Sequence, residues 1–575
     1  MNRLEKIDAV LIISFLALMI FPLLYVFRHL DDNTLTSWQW VFARGGMARV
    51  FGFIALGTAF AFFLSRTSFP ERNPPLFLFA VSFLAVVPLW GAPETVLDTA
   101  RYVLQAKHLE LYGMSSFFTE WGKEIGAWTD LPVVPFFYGM IFRYLGEARI
   151  FIQVFTTLLF SLTVVFTYLI GKALWDRETG LLAGLFLLGI PYLLTQAPLM
   201  LVDVPFMFLL TLSLYTFLNT LENGGALRTT VSSGAIFLTA FSKYSAWPML
   251  LVLPVITYVS AKRGSGAAVR RSVLVLATVA LVSGAVFSAN PDVFLDQVRL
   301  LREYQWPGLG RWKEGFVSTF FFQTHPAVTL AALFAVPLAM KNRDVRFFIP
   351  AWFAVFVLVL RVERIRYLLP LLPLLALMAA YGLKAVRDID LRKFIAFSVL
   401  AASLAIALGA YLPFLSRTSM MNLRDAGAYL DSLPGDAVEV RIRPQTQSAG
   451  NTEMAIPILD LYTRKRLVYR QEHVPRPTAE RLQRSPLRFS WEYRQPRFYS
   501  EDTSEGDHPV VLIASETHVD RAPAINNEHP PLPPFAQGGS APCPPLKTFA
   551  SDAGAFRYKT FVTVFSRTRL AETAQ

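Results

Sequence analysis

Long apolar runs alternate with short polar segments from the start of the chain to about Leu415, and the chain becomes mostly polar from Ser416 onward. A helix of about 17 to 25 apolar residues can cross the hydrocarbon core of a bilayer. Thirteen runs reach or approach this length, and we predict membrane helices near 8–27, 48–65, 75–91, 149–171, 181–197, 203–220, 232–245, 246–260, 272–289, 325–341, 346–361, 366–384 and 394–415. The pattern therefore predicts a polytopic α-helical membrane protein with about 13 transmembrane helices.

The polar tail has the pattern of a small α/β domain. LRDAGAYLDSL has helical spacing, whereas AVEVRIR, PVVLIAS and KTFVTVF are typical of short strands. A Pro-rich stretch from Arg521 to Pro545 is predicted as loop, and no Gly-rich phosphate loop follows a predicted strand. We therefore predict three regions: N-terminal membrane helices over 1–92, a membrane domain over 93–415 with a large first outer loop over 93–148, and the tail over 416–575.

The distribution of Lys and Arg predicts the orientation in the membrane. With the N-terminus in the cytoplasm, every short loop on the inner side is basic, as expected for cytoplasmic loops. The apolar segment Leu131–Gly146 would invert this alternation if it crossed, so we predict an interfacial or re-entrant helix there. The first outer loop and the tail are then extracytoplasmic, in a multi-pass protein of the plasma membrane. Arg361, Arg364 and Arg366 are basic residues on the outer side that this rule does not explain.

Composition agrees with this class and excludes others. The chain is 54% hydrophobic and 17% charged, which is too apolar for a soluble protein of 575 residues. The net charge of +12 is accounted for by basic loops between helices, so no nucleic-acid partner is predicted. The single cysteine, Cys543, can form no internal disulfide and binds no metal alone.

Four charged positions fall at the outer face of this topology. Asp98 begins the first outer loop, Asp203 lies at the top of the hairpin between the fifth and sixth spans, and Lys243 lies at the turn between the seventh and eighth. Arg366, followed by Tyr367, lies at the outer end of the twelfth span. Ionisable groups at the mouth of a membrane bundle are costly, so their agreement on one face predicts a functional site.

The residue types favour transfer from an anionic lipid. Lys243 and Arg366 can neutralise a lipid phosphate as a leaving group, and a carboxylate can take a proton from an acceptor hydroxyl. Each residue also has a structural alternative: helix capping for Asp98 and Asp203, snorkelling to headgroups for Lys243, and pairing with Glu363 or lipid phosphate for Arg366. The residues predicted around the same cavity are Glu94, Tyr102, Asp130 and His325, and a structural role at the helix entry is the alternative for His325.

Several sequence pieces occur in an order that is familiar from one group of enzymes. They include LDTARYVLQAKHLELYG, WTDLPVVPFFYGMIFRYLGEAR, PLMLVDVPFMFLLTLSLYTF, GAIFLTAFSKYSAWPMLLVLP and RIRYLLPLLPLLALMAAYGL. Together they resemble the GT-C superfamily of membrane glycosyltransferases, particularly the glycosyltransferase family 39 group with protein O-mannosyltransferases and lipid A aminoarabinose transferases. The resemblance implies that Asp98 is the catalytic base, that Asp203 is a second acid, and that Lys243, Arg366 and Tyr367 lie near the lipid phosphate of the donor.

The resemblance further implies a polyprenyl-phosphate-linked sugar as donor and a hexosyl or pentosyl transfer that inverts the anomeric carbon. Family members commonly have Asp-Glu in the first outer loop, whereas Thr99 follows Asp98 here, which argues against a metal. No cofactor or metal ligand is predicted, and a divalent metal stays an open alternative. The predicted partners are the donor, the bilayer and an acceptor that is a protein, lipid or glycan. The competing reading is a transporter or flippase of a lipid-linked anionic substrate, for which ionisable groups near mid-span and inverted repeats are expected.

Overall fold

The computed structural model describes most of the chain. The described residues are 3–31, 33, 38–127, 130–264, 266–305, 314–443, 450–469, 478–485, 487–500, 508–514, 545–552 and 560–566. The predicted Pro-rich loop lies outside them except for Pro545.

Helices dominate the part that corresponds to the predicted membrane regions. The α-helices up to the tail are Arg3–Val26, Trp38–Arg44, Met47–Ser65, Phe69–Arg72, Pro74–Val86, Asp98–Glu120, Val133–Leu145, Arg149–Leu174, Arg177–Leu188, Pro191–Gln196, Asp203–Asn223, Ala226–Ala240, Ala246–Met249, Val252–Lys262, Ala268–Ala289, Pro291–Leu300, Pro326–Asn342, Phe348–Ala354, Ile365–Leu368, Leu372–Gly382, Ile389–Ile406 and Leu412–Leu415.

Among the described residues, eight helices are long and apolar enough to cross a membrane. They are Leu4–Val26, Met47–Ser65, Pro74–Gly91, Arg149–Leu174, Asp203–Asn223, Ala268–Ala289, Ile365–Ala385 and Ile389–Leu415. Shorter apolar helices cover Ala246–Lys262, Pro326–Asn342 and Val345–Val359. The predicted span at 181–197 is divided between Arg177–Leu188 and Pro191–Gln196, because proline fits the first turn of a new helix better than the interior of an existing one. The multi-pass helical class is confirmed, and the count of thirteen stays a prediction.

Two of the long helices form the centre of the bundle. Each of these helices contains an apolar stretch of 18 residues, and the buried share of that stretch is 89% in Ile365–Ala385 and 78% in Asp203–Asn223. The corresponding share is only 11% for Leu4–Val26 and for Ala268–Ala289, so these two present most of their apolar surface outward, as lipid-facing helices do. Asp203 and Arg366 therefore belong to the two most enclosed of the eight helices.

The first outer loop is built from two packed helices, Asp98–Glu120 and Val133–Leu145. Their close approach depends on Gly139, because a Cβ at that position would lie 2.6 Å from the Cβ of Leu109. Val133–Leu145 covers the segment predicted to be interfacial or re-entrant. It buries Tyr138 and Phe142 but exposes Tyr144, so it is amphipathic in the observed packing.

The tail contains a five-stranded sheet, with strands β1 (Ala437–Ile442), β2 (Arg466–Tyr469), β3 (Val510–Ala514), β4 (Lys547–Ala550) and β5 (Phe561–Phe565). The order is β2-β1-β3-β5-β4, in which β1 pairs parallel with both neighbours and β5 pairs antiparallel with both. Helices of the tail are Met421–Asp431, Ala455–Asp460 and Ala479–Arg484. The three predicted strands and the first helix are observed, and β2 and β4 are additional strands that were not predicted. The predicted fold class, with a small C-terminal α/β domain, is confirmed.

The tail docks on the first outer loop. Lys107 Nζ lies 2.6 Å from Asp460 Oδ2 of the tail, and the backbone N–H of Glu94 donates to the Tyr462 hydroxyl at 2.7 Å. The backbone N–H of Met420 donates to the carbonyl oxygen of Glu94 at 3.3 Å. The tail and the first outer loop therefore lie at the same end of the helix bundle. The exact domain boundaries stay a prediction.

Candidate active site

Asp98 and Asp203 each occupy the first residue of a helix. The N-cap positions are Leu97 and Val202, so neither carboxylate fills the capping position that the structural alternative assigns to it. The positive end of a helix dipole stabilises a carboxylate in the first turn. In addition, neither side chain caps its helix, and both face a shared cation.

That shared cation is Arg366, which joins the two acids. Its Nη1 donates to Asp98 Oδ2 at 2.8 Å and its Nε donates to Asp203 Oδ2 at 2.9 Å. A planar guanidinium presents donors along two edges, so it can hold two carboxylates in a fixed geometry that a lysine ammonium cannot reproduce. Arg366 therefore pairs with Asp98 and Asp203 and not with Glu363, its suggested partner.

Lys243 completes the cluster from a different loop. Its Nζ lies 2.7 Å from Asp203 Oδ1. The backbone of Lys243 pairs with that of Asp130 in an isolated antiparallel bridge, and the N–H of Val133 donates to the Phe241 carbonyl at 3.3 Å. The first outer loop is thereby attached to the turn that carries Lys243, which fixes the position of the ammonium group.

Arg101 is a member of the site that the sequence analysis missed. Its Nη2 donates to Asp98 Oδ1 at 2.7 Å, and its Nη1 lies 3.2 Å from Asp130 Oδ2. The signal for it is the spacing in DTAR, because a residue three positions after Asp98 on a helix lies on the same face. Six side chains thus form one row of alternating charge, which we call the ionic chain: Lys243, Asp203, Arg366, Asp98, Arg101 and Asp130.

The ionic chain is balanced and enclosed. It contains three acids and three bases, and the exposed fraction of these side chains ranges from 1% for Asp203 and Asp130 to 12% for Asp98 and Lys243. Alternation gives Asp98 and Asp203 a cation on either side, which compensates part of the desolvation cost of burying them. An anionic ligand that contacts Arg366 and Lys243 would have to compete with these carboxylates.

The environment shifts the pKa values of the two acids of the first outer loop in opposite directions. Burial alone raises the pKa of Asp98, but the nearby Arg366 and Arg101 charges outweigh it and hold this pKa well below its usual range. Burial also raises the pKa of Asp130, and the Arg101 charge offsets this only in part, so the pKa stays above its usual value. The Tyr102 hydroxyl donates to Asp130 Oδ1 at 3.3 Å. Asp98 is therefore the carboxylate that remains ionised over the wider pH range.

Glu94, which was predicted to line the cavity, is occupied by protein groups. Its carboxylate accepts from Arg149 Nε at 2.9 Å, from Thr99 Oγ1 at 3.0 Å and from the backbone N–H of Met200 at 3.2 Å, and the residue has no exposed surface. These contacts connect the loop before Asp98 with the loop before Asp203. Glu94 is thus placed to position the two acids.

The remaining predicted site residues, Tyr367 and His325, make their observed contacts with residues outside the ionic chain. Tyr367 carries the guanidinium of Arg364 over its ring at 5.1 Å, and Arg364 in turn lies 3.3 Å from Glu314. This ion pair accounts for one of the basic residues that the orientation rule left unexplained. His325 accepts the backbone N–H of Ala327 through Nδ1 at 3.2 Å, so it is the N-cap of its helix, as the structural alternative predicted.

The acids of the site do not have the arrangement of a metal centre. Within the described ranges, no group of three or more His, Cys, Asp or Glu side chains is placed to share a metal ion. Asp98 and Asp203 face each other across the Arg366 guanidinium, so a cation already occupies the position between them. The donor set as arranged does not fit a divalent metal.

Comparison with known protein families gives one sequence match. Residues 130–291 match the model of the dolichyl-phosphate-mannose-protein mannosyltransferase family. The matched region contains Asp130, Asp203 and Lys243, whereas Asp98 and Arg366 lie outside it. No curated protein matches the chain significantly.

Solved structures extend the similarity to most of the chain. ArnT from Cupriavidus metallidurans bound to undecaprenyl phosphate is 12% identical, with a TM-score of 0.51, and the match covers 85% of this chain and 97% of ArnT. The apo state of the same protein gives a TM-score of 0.52 at 12% identity, over 86% of this chain and 98% of ArnT. A third match is the oligosaccharyltransferase AglB from Archaeoglobus fulgidus in complex with an inhibitory peptide and a dolichol-phosphate. Its TM-score is 0.42 at 12% identity, and the match covers 77% of this chain and 70% of AglB. The chain is therefore similar to dolichyl-phosphate-mannose-protein mannosyltransferases over residues 130–291 and shares its fold with ArnT, which confirms the predicted resemblance to the membrane glycosyltransferases of the GT-C superfamily.

Proposed function

We propose that this protein is an integral membrane glycosyltransferase that moves a sugar from a polyprenyl-phosphate donor to an acceptor on the non-cytoplasmic face. The observation that carries the proposal is the bridging of Asp98 and Asp203 by Arg366, with Lys243 on the far side of Asp203. This arrangement supplies two cations for a phosphate and a carboxylate for a hydroxyl proton within one enclosed site.

Donor binding rearranges the ion pairs of the site. The phosphate of the donor contacts Arg366 and Lys243 and takes over contacts that the carboxylates make in the unliganded chain. Asp98 then shares its cation with a second anion, so its affinity for a proton rises toward that of an ordinary carboxylate. The group becomes a better general base only when the donor is present.

The transfer step follows from these contacts. The acceptor oxygen attacks the anomeric carbon, the bond between that carbon and the phosphate oxygen breaks, and Asp98 accepts the proton of the acceptor hydroxyl. The polyprenyl phosphate leaves with the bonding electron pair, and Arg366 and Lys243 stabilise the added negative charge. Attack from the face opposite the leaving group inverts the anomeric centre. Asp203 orients both cations through its two oxygens.

The fold supports the class of donor. A protein with the same fold, ArnT, has been solved with undecaprenyl phosphate, which has the chemistry of the leaving group proposed here. A transporter would be expected to carry ionisable groups near mid-span. In this chain Asp203 and Arg366 instead fall within the first two residues of their helices.

The test is to incubate the purified full-length protein with candidate polyprenyl-phosphate sugars and measure release of the lipid phosphate. We expect release by the wild type and by D388N, a charge change in a partly exposed ion pair with Lys6. We expect release by D98N to be about 10²- to 10⁴-fold slower. Turnover by D98N close to that of the wild type would refute Asp98 as the base.

A further inference from the structure

A cavity of about 530 Å³ lies between the first outer loop and the tail. One wall comes from the Asp98–Glu120 helix and the segment 122–127, a second from the Pro291–Leu300 helix, and a third from tail residues between Leu482 and Phe498. Its volume is within the range of small-molecule sites, which are about 300–1,000 Å³. The mechanism described above does not use this cavity.

Two buried glutamines give the cavity a polar wall. Gln105 and Gln297 line it and are each only 2% exposed. The side-chain amide nitrogen of each donates to a backbone carbonyl: that of Gln105 to Gly126 at 2.9 Å, and that of Gln297 to Asp130 at 3.4 Å. The Oε1 atoms of both have no hydrogen-bond partner among the described residues. A buried acceptor without a partner is costly. Neither oxygen has appreciable accessible surface in the unliganded chain, so a ligand that donates hydrogen bonds reaches them only after the glutamine side chains change rotamer.

The tail contributes aromatic rings and further unused donors. Phe489, Trp491, Tyr493 and Phe498 all line the cavity. Trp491 Nε1 and the Tyr493 hydroxyl are buried and lack a partner within the described part of the chain. The residues of the wall thus provide apolar ring faces and, beneath the cavity surface, unpartnered polar atoms of both kinds: acceptors from the glutamines and donors from the tail.

This combination matches a saccharide better than the other acceptor classes. A sugar ring has an apolar face of C–H groups that packs on aromatic rings, and its hydroxyls both donate and accept hydrogen bonds. An acyl chain would leave the glutamine oxygens unpaired, which is unfavourable for buried acceptors. The cavity wall also mixes basic and acidic side chains, Lys123 and Arg494 with Glu124 and Asp296, so it does not select a strongly charged ligand.

Arg101 connects the cavity to the ionic chain. It lines the cavity and at the same time donates to Asp98 at 2.7 Å. A ligand in the cavity is therefore separated from the proposed base by a single side chain. This is the position expected for the molecule that supplies the attacking hydroxyl.

We propose that the cavity binds the acceptor and that the acceptor is a glycan, whose sugar rings pack against the aromatic side chains of the tail and donate hydrogen bonds to Gln105 and Gln297. This inference rests on the proposed transferase function. It gives the tail a role in choosing the acceptor.

The experiment measures saturation-transfer difference NMR on the full-length protein in lipid nanodiscs. The probes are mannotriose, maltotriose, chitotriose and the tripeptide Gly-Ser-Thr. We expect saturation transfer from the protein to at least one trisaccharide. The affinity for that trisaccharide should be about 2- to 10-fold lower in Y493F, which removes only an unpartnered hydroxyl and keeps the ring. The double variant Q105L/Q297L should weaken binding further, and D388N should match the wild type.

Two outcomes would overturn the inference: no trisaccharide binds, or the tripeptide binds and the trisaccharides do not. Equal trisaccharide affinity in Y493F, Q105L/Q297L and wild type would also overturn it, because binding would then occur elsewhere. Failure of the transferase proposal is distinguishable, because it appears as absent release of lipid phosphate from every donor while trisaccharides still bind.

Discussion

The two ends of the helix bundle use charge in different ways. At one end the ionic chain is almost fully enclosed, and Asp203 is 1% exposed. At the other end, Lys384 pairs with Asp176 at 2.7 Å with 28% and 48% of the side chains exposed, and Arg392 pairs with Glu178 at 2.8 Å with 17% and 24% exposed. The Arg149–Leu174 helix connects the two ends and is about 39 Å long at the usual rise.

The exposed ion pairs at one end stabilise a surface, whereas the buried ionic chain at the other end carries the charges that the proposed reaction uses. Exposed pairs cost little to form and contribute about 0–1 kcal/mol, so they fit loops whose basic residues set orientation. A buried ionic row is different, because apolar residues of similar volume often stabilise a protein as well or better. Its presence at the end where the tail docks therefore supports the proposed role of this end in binding and catalysis.

The largest effect is expected from D98N. Asparagine keeps the shape of the side chain but cannot accept a proton from the acceptor, so the transfer rate should fall about 10²- to 10⁴-fold. The measurement is the initial rate of sugar transfer under saturating donor, together with thermal unfolding to show that the variant is folded. A rate within threefold of the wild type would mean that the enclosed end is not the reacting one.

R366A should be the most damaging change to stability within the ionic chain. It leaves Asp98 and Asp203 without their shared cation, and removing one partner of a buried ion pair typically costs about 3–5 kcal/mol. Donor affinity should fall as well. R366K separates charge from geometry, because a lysine retains the charge but cannot reach both carboxylates with fixed donors. Donor affinity of R366K equal to that of the wild type would contradict the bridging role.

E94Q tests whether the acids are positioned from a distance. Glutamine keeps the shape of Glu94 but loses the charge that pairs with Arg149, so we expect a loss of about 1–3 kcal/mol in stability. The rate constant for transfer should fall with little change in donor affinity, because the residue touches neither phosphate nor acceptor. A fall in donor affinity alone would show that Glu94 contacts the donor directly.

R101Q should move the acid limit of activity. The Arg366 and Arg101 charges outweigh burial and keep the pKa of Asp98 below its usual range, so the wild type should lose activity only below the ordinary carboxyl range. Removing Arg101 raises this pKa, and the acidic limb of the profile of kcat/KM against pH should shift to higher pH. The free energy of unfolding should also decrease at acidic pH, because the stabilising contribution of ionised Asp98 is present at neutral pH and is lost as pH falls. An unchanged acidic limb in R101Q would exclude Asp98 as the group that titrates.

The sequence predicts the helices and the meeting of Asp98, Asp203, Lys243 and Arg366 because both depend on local pattern and on alternation across the membrane. Apolar length identifies the spans, and the basic loops assign the ends. The pairing partners depend on tertiary packing instead. Arg366 contacts acids 268 and 163 positions away and not Glu363, which is three positions away.

Other features left too weak a signal. Strand β2 is only four residues long, and strand β4 is mostly exposed, so neither shows the alternation of a half-buried strand. The role of Glu94 depends on Arg149, which is 55 positions away on another helix. The cavity beside the tail is assembled from three segments that are far apart in the chain, and no motif marks it.

The smallest effect is expected at the opposite end of the bundle. K384A removes the partner of Asp176, but both side chains are substantially exposed and water can replace the lost interaction. We expect a change of about 1 kcal/mol or less in the free energy of unfolding and no change in the rate of sugar transfer. The matched comparison is R366A measured in the same preparation, since both substitutions remove one cation from an ion pair. A loss of stability in K384A as large as that in R366A would show that exposure does not distinguish the two ends, and burial would then not mark the reacting end.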